Sequence, residues 1–77
     1  MPRVKLSELK NGQVAKVCEL PREHSVSLRL QEMGMRVDTM VKLKKRMPLN
    51  GPFIIASGAT EIAIGKDVAN RIIVCQD

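Results

Sequence analysis

At Thr39 the hydrophobic period of this chain changes, and that change limits what it can fold into. Upstream, in HSVSLRLQEMG, Val26, Leu30 and Met33 recur at i, i+4 and i+7, the spacing of one helix face. Ser25 is a candidate N-cap, and Gly34 fits the position just past the helix end. The spacing predicts one helix around Ser25–Met33, three turns at most, which is too short to hold alone and must pack on a sheet. Downstream the period is two. Val41, Leu43 and Met47 fall on one face and Lys42, Lys44 and Arg46 on the other, as in a half-buried antiparallel strand with one wet side. Lys45 alone breaks the alternation. Its expected place is the inward face, where the strand frays or bulges near Met47-Pro48, with its stem over apolar surface and its amine in water.

The other segments are short and closely punctuated. A lead-in reaches a turn at Asn11-Gly12, then a strand runs from about Gln13 to Leu20, with Ala15 and Val17 inward and Pro21 as its stop. MPLNGP carries turn chemistry, because its prolines cannot donate to a ladder and Asn-Gly accepts positive φ. FIIAS and TEIAI read as strands around Gly58, GKDVAN has the length of one helical turn, and RIIVC is a final strand. The expected class is all-β: a small five-stranded antiparallel barrel with one short helix, forming a single domain over residues 1–77. Its core must be aliphatic, because Phe53 is the one aromatic residue.

Charge divides the chain. Residues 1–46 hold 11 Lys/Arg against 5 Asp/Glu, giving +6, and residues 47–77 hold 2 against 3, giving −1. A basic half favours acidic partners through long-range steering. No apolar run approaches the ~20 residues that cross a bilayer, and MPRVKLSELK lacks a secretory apolar stretch, so a cytoplasmic location is expected. Cys18 and Cys75 form no CxxC pair. Each lies late in its strand, and in an antiparallel pair the end of one strand meets the start of the other. Their Cα atoms are therefore expected beyond the ~7 Å that a bridge permits, leaving free thiols.

The order of these pieces resembles the ferrous-iron transport protein A family, small cytosolic barrels of SH3-like type. The likeness covers about residues 6–74. It rests on Leu6, Leu9 and Gly12 leading to Ala15 and Val17, then Arg29-Leu30 and Met33-Gly34-Met35 at the helix end. Pro48, Gly51 and Pro52 in the hairpin loop, Gly58, Ile62-Ala63-Ile64, Ala69, Ile72 and Val74 complete it. Two positions depart from the pattern: Asp38 stands where the family has glycine, and Gly65 where it often has a basic residue. The resemblance implies a non-enzymatic accessory protein of ferrous iron uptake. Its partner would be the membrane iron transporter with a cytosolic GTP-binding domain, and any transition metal would be weakly bound or shared.

The residues themselves offer little chemistry. Ser7, Ser25, Ser27 and Ser57 form no nucleophile elbow, and no glycine-rich phosphate loop precedes a helix. His24, Glu23 and Cys18 are potential ligands but fall short of the three or four donors of a zinc or iron shell, so no tight metal site is expected. No cofactor is called for. The alternative is a basic nucleic-acid-associated barrel, or a stand-alone relative of the C-terminal domain of iron-dependent repressors. Single-strand binders stack bases on aromatics, however, and this chain offers only Phe53. The candidate partner-binding residues are Lys42, Lys44 and Arg46, taken as one solvated stripe.

Overall fold

A computed structural model describes residues 2–76. Six antiparallel strands form one sheet: β1 (Arg3–Lys5), β2 (Val14–Glu19), β3 (Met40–Arg46), β4 (Phe53–Ser57), β5 (Thr60–Ile64) and β6 (Ile73–Cys75). Their spatial order is β1-β6-β2-β3-β4-β5, curled around one aliphatic core in an SH3-like barrel. Helix α1 spans His24–Glu32 and a single turn, α2, spans Lys66–Ala69. The expected class and helix count hold, and the sheet has one strand more than the five expected. The extra strand is β1, in the segment read as a lead-in. Three residues are too few to show a period, and β1 exists because β6 supplies its ladder from Arg3↔Cys75 to Lys5↔Ile73.

Helix α1 ends as Gly34 requires. The Gly34 N–H donates to the Gln31 carbonyl at 3.0 Å and the Met35 N–H to the Leu30 carbonyl at 2.9 Å, a Schellman arrangement. It needs a left-handed residue between helix and exit, and Gly34 supplies φ +100°. The apolar contact that accompanies this motif is present too, since Leu30 and Met35 are both buried. Ser57 Oγ donates to the Gly34 carbonyl at 3.2 Å, fastening the helix end to β4. The start of α1 differs from expectation. It begins at His24 with Glu23 as N-cap, two residues ahead of Ser25, and Glu23 makes no side-chain cap because its carboxylate pairs with Arg71.

Asp38 adopts φ +75°, the conformation glycine takes easily and Asp tolerates, so this departure leaves the fold intact. In the β3–β4 loop the positive φ falls on Leu49 and Asn50. Gly51 is needed there for a different reason: a Cβ on it would lie 2.8 Å from Met47 Cβ. Ala69 is fully buried, and its lack of a long side chain lets α2 lie against the barrel.

The expectation of free thiols is overturned: Cys18 and Cys75 form a disulfide with Cα atoms 6.1 Å apart. Strand β6 is so short that its last residue, Cys75, pairs with Lys16 in the middle of β2. The register then shifts between Val17 and Glu19, so that Cys18 is the extra residue of a bulge between the Val74 and Ile73 rows, two residues along β2 from the partner of Cys75. Strand direction alone could not show either effect. The bond closes a separation of 57 residues, which in the chain-entropy account stabilises by roughly 4 kcal/mol. Denaturant unfolding of Cys75→Ser should therefore show a midpoint shift of up to that size, and thiol titration of the unreduced, unfolded chain should find no reactive thiol. An unchanged midpoint when the parent is reduced refutes the bond's role.

Candidate docking face

The arrangement of β3 decides which side chains can meet a partner. Val41 and Leu43 are buried and lie opposite core positions, Leu43 directly across from Ile55. The next pair is Lys45↔Ile54, followed by Arg46↔Phe53, so Lys44 is an extra residue with no partner position on β4. One inserted residue inverts the alternation beyond it. Lys45 is thereby turned to the outer side, correcting its expected inward place, and Arg46 is turned to the side of the buried Phe53.

Arg46 therefore does not share one stripe with Lys42 and Lys44. Its Nη2 donates to the Ser7 carbonyl at 3.1 Å and to the Leu9 carbonyl, and its guanidinium lies 5.6 Å from the Phe53 ring centroid. A planar fork with five donors suits this task, binding two carbonyls of the 3-10 turn Leu6–Glu8 and its cap Leu9 while covering an aromatic face. Arg46 thus closes one end of the barrel. It also covers the one aromatic residue, which is buried and offers no open platform for stacking a base.

Lys42, Lys44 and Lys45 are all exposed. Lys44 lies 3.8 Å from Glu61, an exposed pair worth at most about 1 kcal/mol. Among the described residues, Lys42 and Lys45 have no carboxylate within ion-pair distance. Beside them β2 contributes the cross-strand pairs Val14↔Lys42 and Lys16↔Met40. Val14 is 49% and Met40 52% exposed, so cations and apolar side chains alternate over this outer face. A shallow concavity of about 440 Å³, lined by Val14, Lys16, Met40 and Cys75, borders it. Sequence patterning singled out the cations but not Val14 and Met40, which read as ordinary strand apolars. Alternation alone turns them outward, beside inward Ala15 and Val41; the register adds that they lie next to Lys42 and Lys16 on one face.

The potential metal ligands are not brought together. Cys18 is in the disulfide, Glu23 pairs with Arg71, and His24 is exposed at the start of α1. Among the described residues no group of three or more His, Cys, Asp or Glu side chains is placed to hold a metal. Gly65, the second departure from the family pattern, is exposed and caps α2 with its backbone. On the far side of the sheet, a groove of about 360 Å³ runs between α1 and β5, floored by Val26, Leu30, Ile64 and Val68.

The FeoA domain family matches residues 4–75 of the chain. Among solved structures, the crystal structure of an iron uptake regulatory protein (FeoA) is 31% identical with a TM-score of 0.85, over 97% of each chain. The solution structure of the FeoA protein from Chlorobium tepidum is 30% identical with a TM-score of 0.86, covering 92% of this chain and 68% of that one. A manganese-dependent transcriptional repressor shares the fold at 19% identity and a TM-score of 0.86, but this chain spans 42% of its length. No curated protein matches the chain. No helix among the described residues is long and apolar enough to cross a membrane.

The two roles within β3 separate under mutation. Arg46→Gln leaves the Ser7 and Leu9 carbonyls without their donor and should cost about 1–3 kcal/mol of stability. Lys45→Gln should stay within about 0.5 kcal/mol. Equal losses in denaturant unfolding of the two variants would show that Arg46 is not a structural tie.

Proposed function

The chain belongs to the FeoA domain family, and so to the accessory proteins of ferrous iron uptake; we propose that it acts there without catalysis, by docking to the membrane iron transporter. The docking site on the transporter is its cytosolic GTP-binding domain, and the chain works on the cytoplasmic side. The observation that carries the iron-uptake reading is the family match over nearly the whole chain. What supports docking through one particular face is the alternation of cations with exposed apolar groups on β2 and β3.

Each half of that pattern has its own physical task. Lys42 and Lys44, with Lys45 beside them, present hydrated charges on flexible stems, which accelerate encounter with an acidic surface. Val14 and Met40 supply area that can be dried on contact, and Met adapts its shape to an irregular partner. Arg46 adds its charge at the strand's end while its guanidinium stays on the chain's own carbonyls. Ferrous iron is the cargo of the system, carried by the transporter.

The test is a Lys42→Gln/Lys44→Gln/Lys45→Gln variant, measured for melting temperature and for binding to the transporter's GTP-binding domain at low and high salt. Melting should remain near the parent's, because no removed group fills the core. Association at low salt should slow severalfold, and the difference should shrink at high salt as charges are screened. A variant that melts far below the parent and binds unchanged would end the docking claim.

A further inference from the structure

The end of the barrel that Arg46 closes also holds a cavity of about 310 Å³, lined by Ser7, Arg46, Asn50, Phe53, Lys66 and Asn70 among others. It lies between the 3-10 turn, the β3–β4 loop and α2, and is separate from the outer face of β3. Its lining contains two cations and no carboxylate. The hydrogen bonds already made there have a common direction: they occupy acceptors. Asn50 Oδ1 accepts from Lys66 Nζ at 3.4 Å, and Asn70 Oδ1 accepts from Ser7 Oγ. The Ser7 and Leu9 carbonyls accept from Arg46 Nη2.

What remains is a surplus of donors. A guanidinium carries five N–H groups, and both bonds of Arg46 leave from Nη2, so Nη1 and Nε are available. Lys66 has three donors, and each amide nitrogen of Asn50 and Asn70 has two. A concave site with two cations, two amide donors and engaged acceptors is complementary to a compact anion with several oxygens. A planar Arg fork beside a Lys point charge is the pairing that binds phosphate.

We infer that this pocket is a binding site for a phosphate group, recognised by Arg46, Lys66, Asn50 and Asn70. The group comes either as inorganic phosphate or as a phosphate monoester. Phosphate held there would bridge the β3–β4 loop to α2, two elements otherwise joined at this point by the single Lys66–Asn50 contact among the hydrogen bonds described.

Backbone and side-chain amide shifts of the labelled protein, followed at constant ionic strength against chloride, test this. Inorganic phosphate and glycerol 3-phosphate are titrated in parallel, with acetate as the control anion. Saturable shifts confined to Ser7, Asn50, Gly51, Lys66 and Asn70 are expected with at least one phosphate species, and the species that binds identifies the source. Lys66→Gln should weaken binding about tenfold, the loss of one charge-assisted hydrogen bond. Asn50→Asp, which places a negative acceptor in the pocket from an exposed loop, should abolish it. Lys42→Gln, on the outer face, should leave it unchanged. The inference is overturned if acetate or chloride reproduces the shifts, if they spread over Lys42–Lys45, or if Lys66→Gln and Asn50→Asp both bind as the parent does.

Discussion

One residue without a cross-strand partner, Lys44, sets the character of the molecule. Side chains on a strand alternate between faces, so an insertion reverses everything that follows. Before Lys44, β3 is a simple core strand with Val41 and Leu43 fully buried. After it, Lys45 goes outward and Arg46 turns toward Phe53. Without the bulge, Lys45 would face the core side and Arg46 would join the solvated stripe. The Ser7 and Leu9 carbonyls would then lose their donor, and Phe53 would lose its cover at the barrel's end.

A second bulge, at Cys18 on β2, performs the matching adjustment on the other side of the barrel. It bends β2 where β6 joins it and brings Cys18 next to Cys75. The sheet therefore has a covalent tie between β2 and β6 and a hydrogen-bonded tie from β3 to the 3-10 turn. A domain of this size buries a smaller share of its surface than a larger one, so such ties carry more of its stability. The helix contributes in the same way: Leu30 and Met35 enter the core as a pair because Gly34 reverses the chain between them.

The legible parts of the fold were those governed by local rules. The exit of α1 at Gly34, the alternation of Val41 and Leu43 and the single turn ending at Ala69 depend on neighbours within a few residues. What could not be read depends on register between distant segments. Strand β1 needs β6, the disulfide needs the shift at Cys18, and the placing of Val14 and Met40 beside Lys42 and Lys16 needs the pairing of β2 with β3. One long-range feature did leave a trace. Lys44-Lys45-Arg46 is a run of three cations where strict alternation allows two, and this break marks the bulge, whose extra residue, Lys44, lies three residues ahead of Met47. For the candidate site, the cations were visible as residues, but their division into two groups was not.

That division gives adjacent residues of one strand different physical work. The lysines on the outer face keep their hydration and their freedom, so their effect reaches beyond contact distance, weakens with salt and demands little geometry of a partner. Arg46 is the opposite case: two carbonyls and a ring hold its plane, and its remaining donors are presented in a fixed direction. Exchanging the residue types would spoil both. A lysine at Arg46 could not bind two carbonyls and cover the ring with one planar group, and an arginine at Lys42 would gain nothing from its fork without an acceptor nearby. The choice of Lys before the bulge and Arg after it follows from the change of environment that the bulge creates.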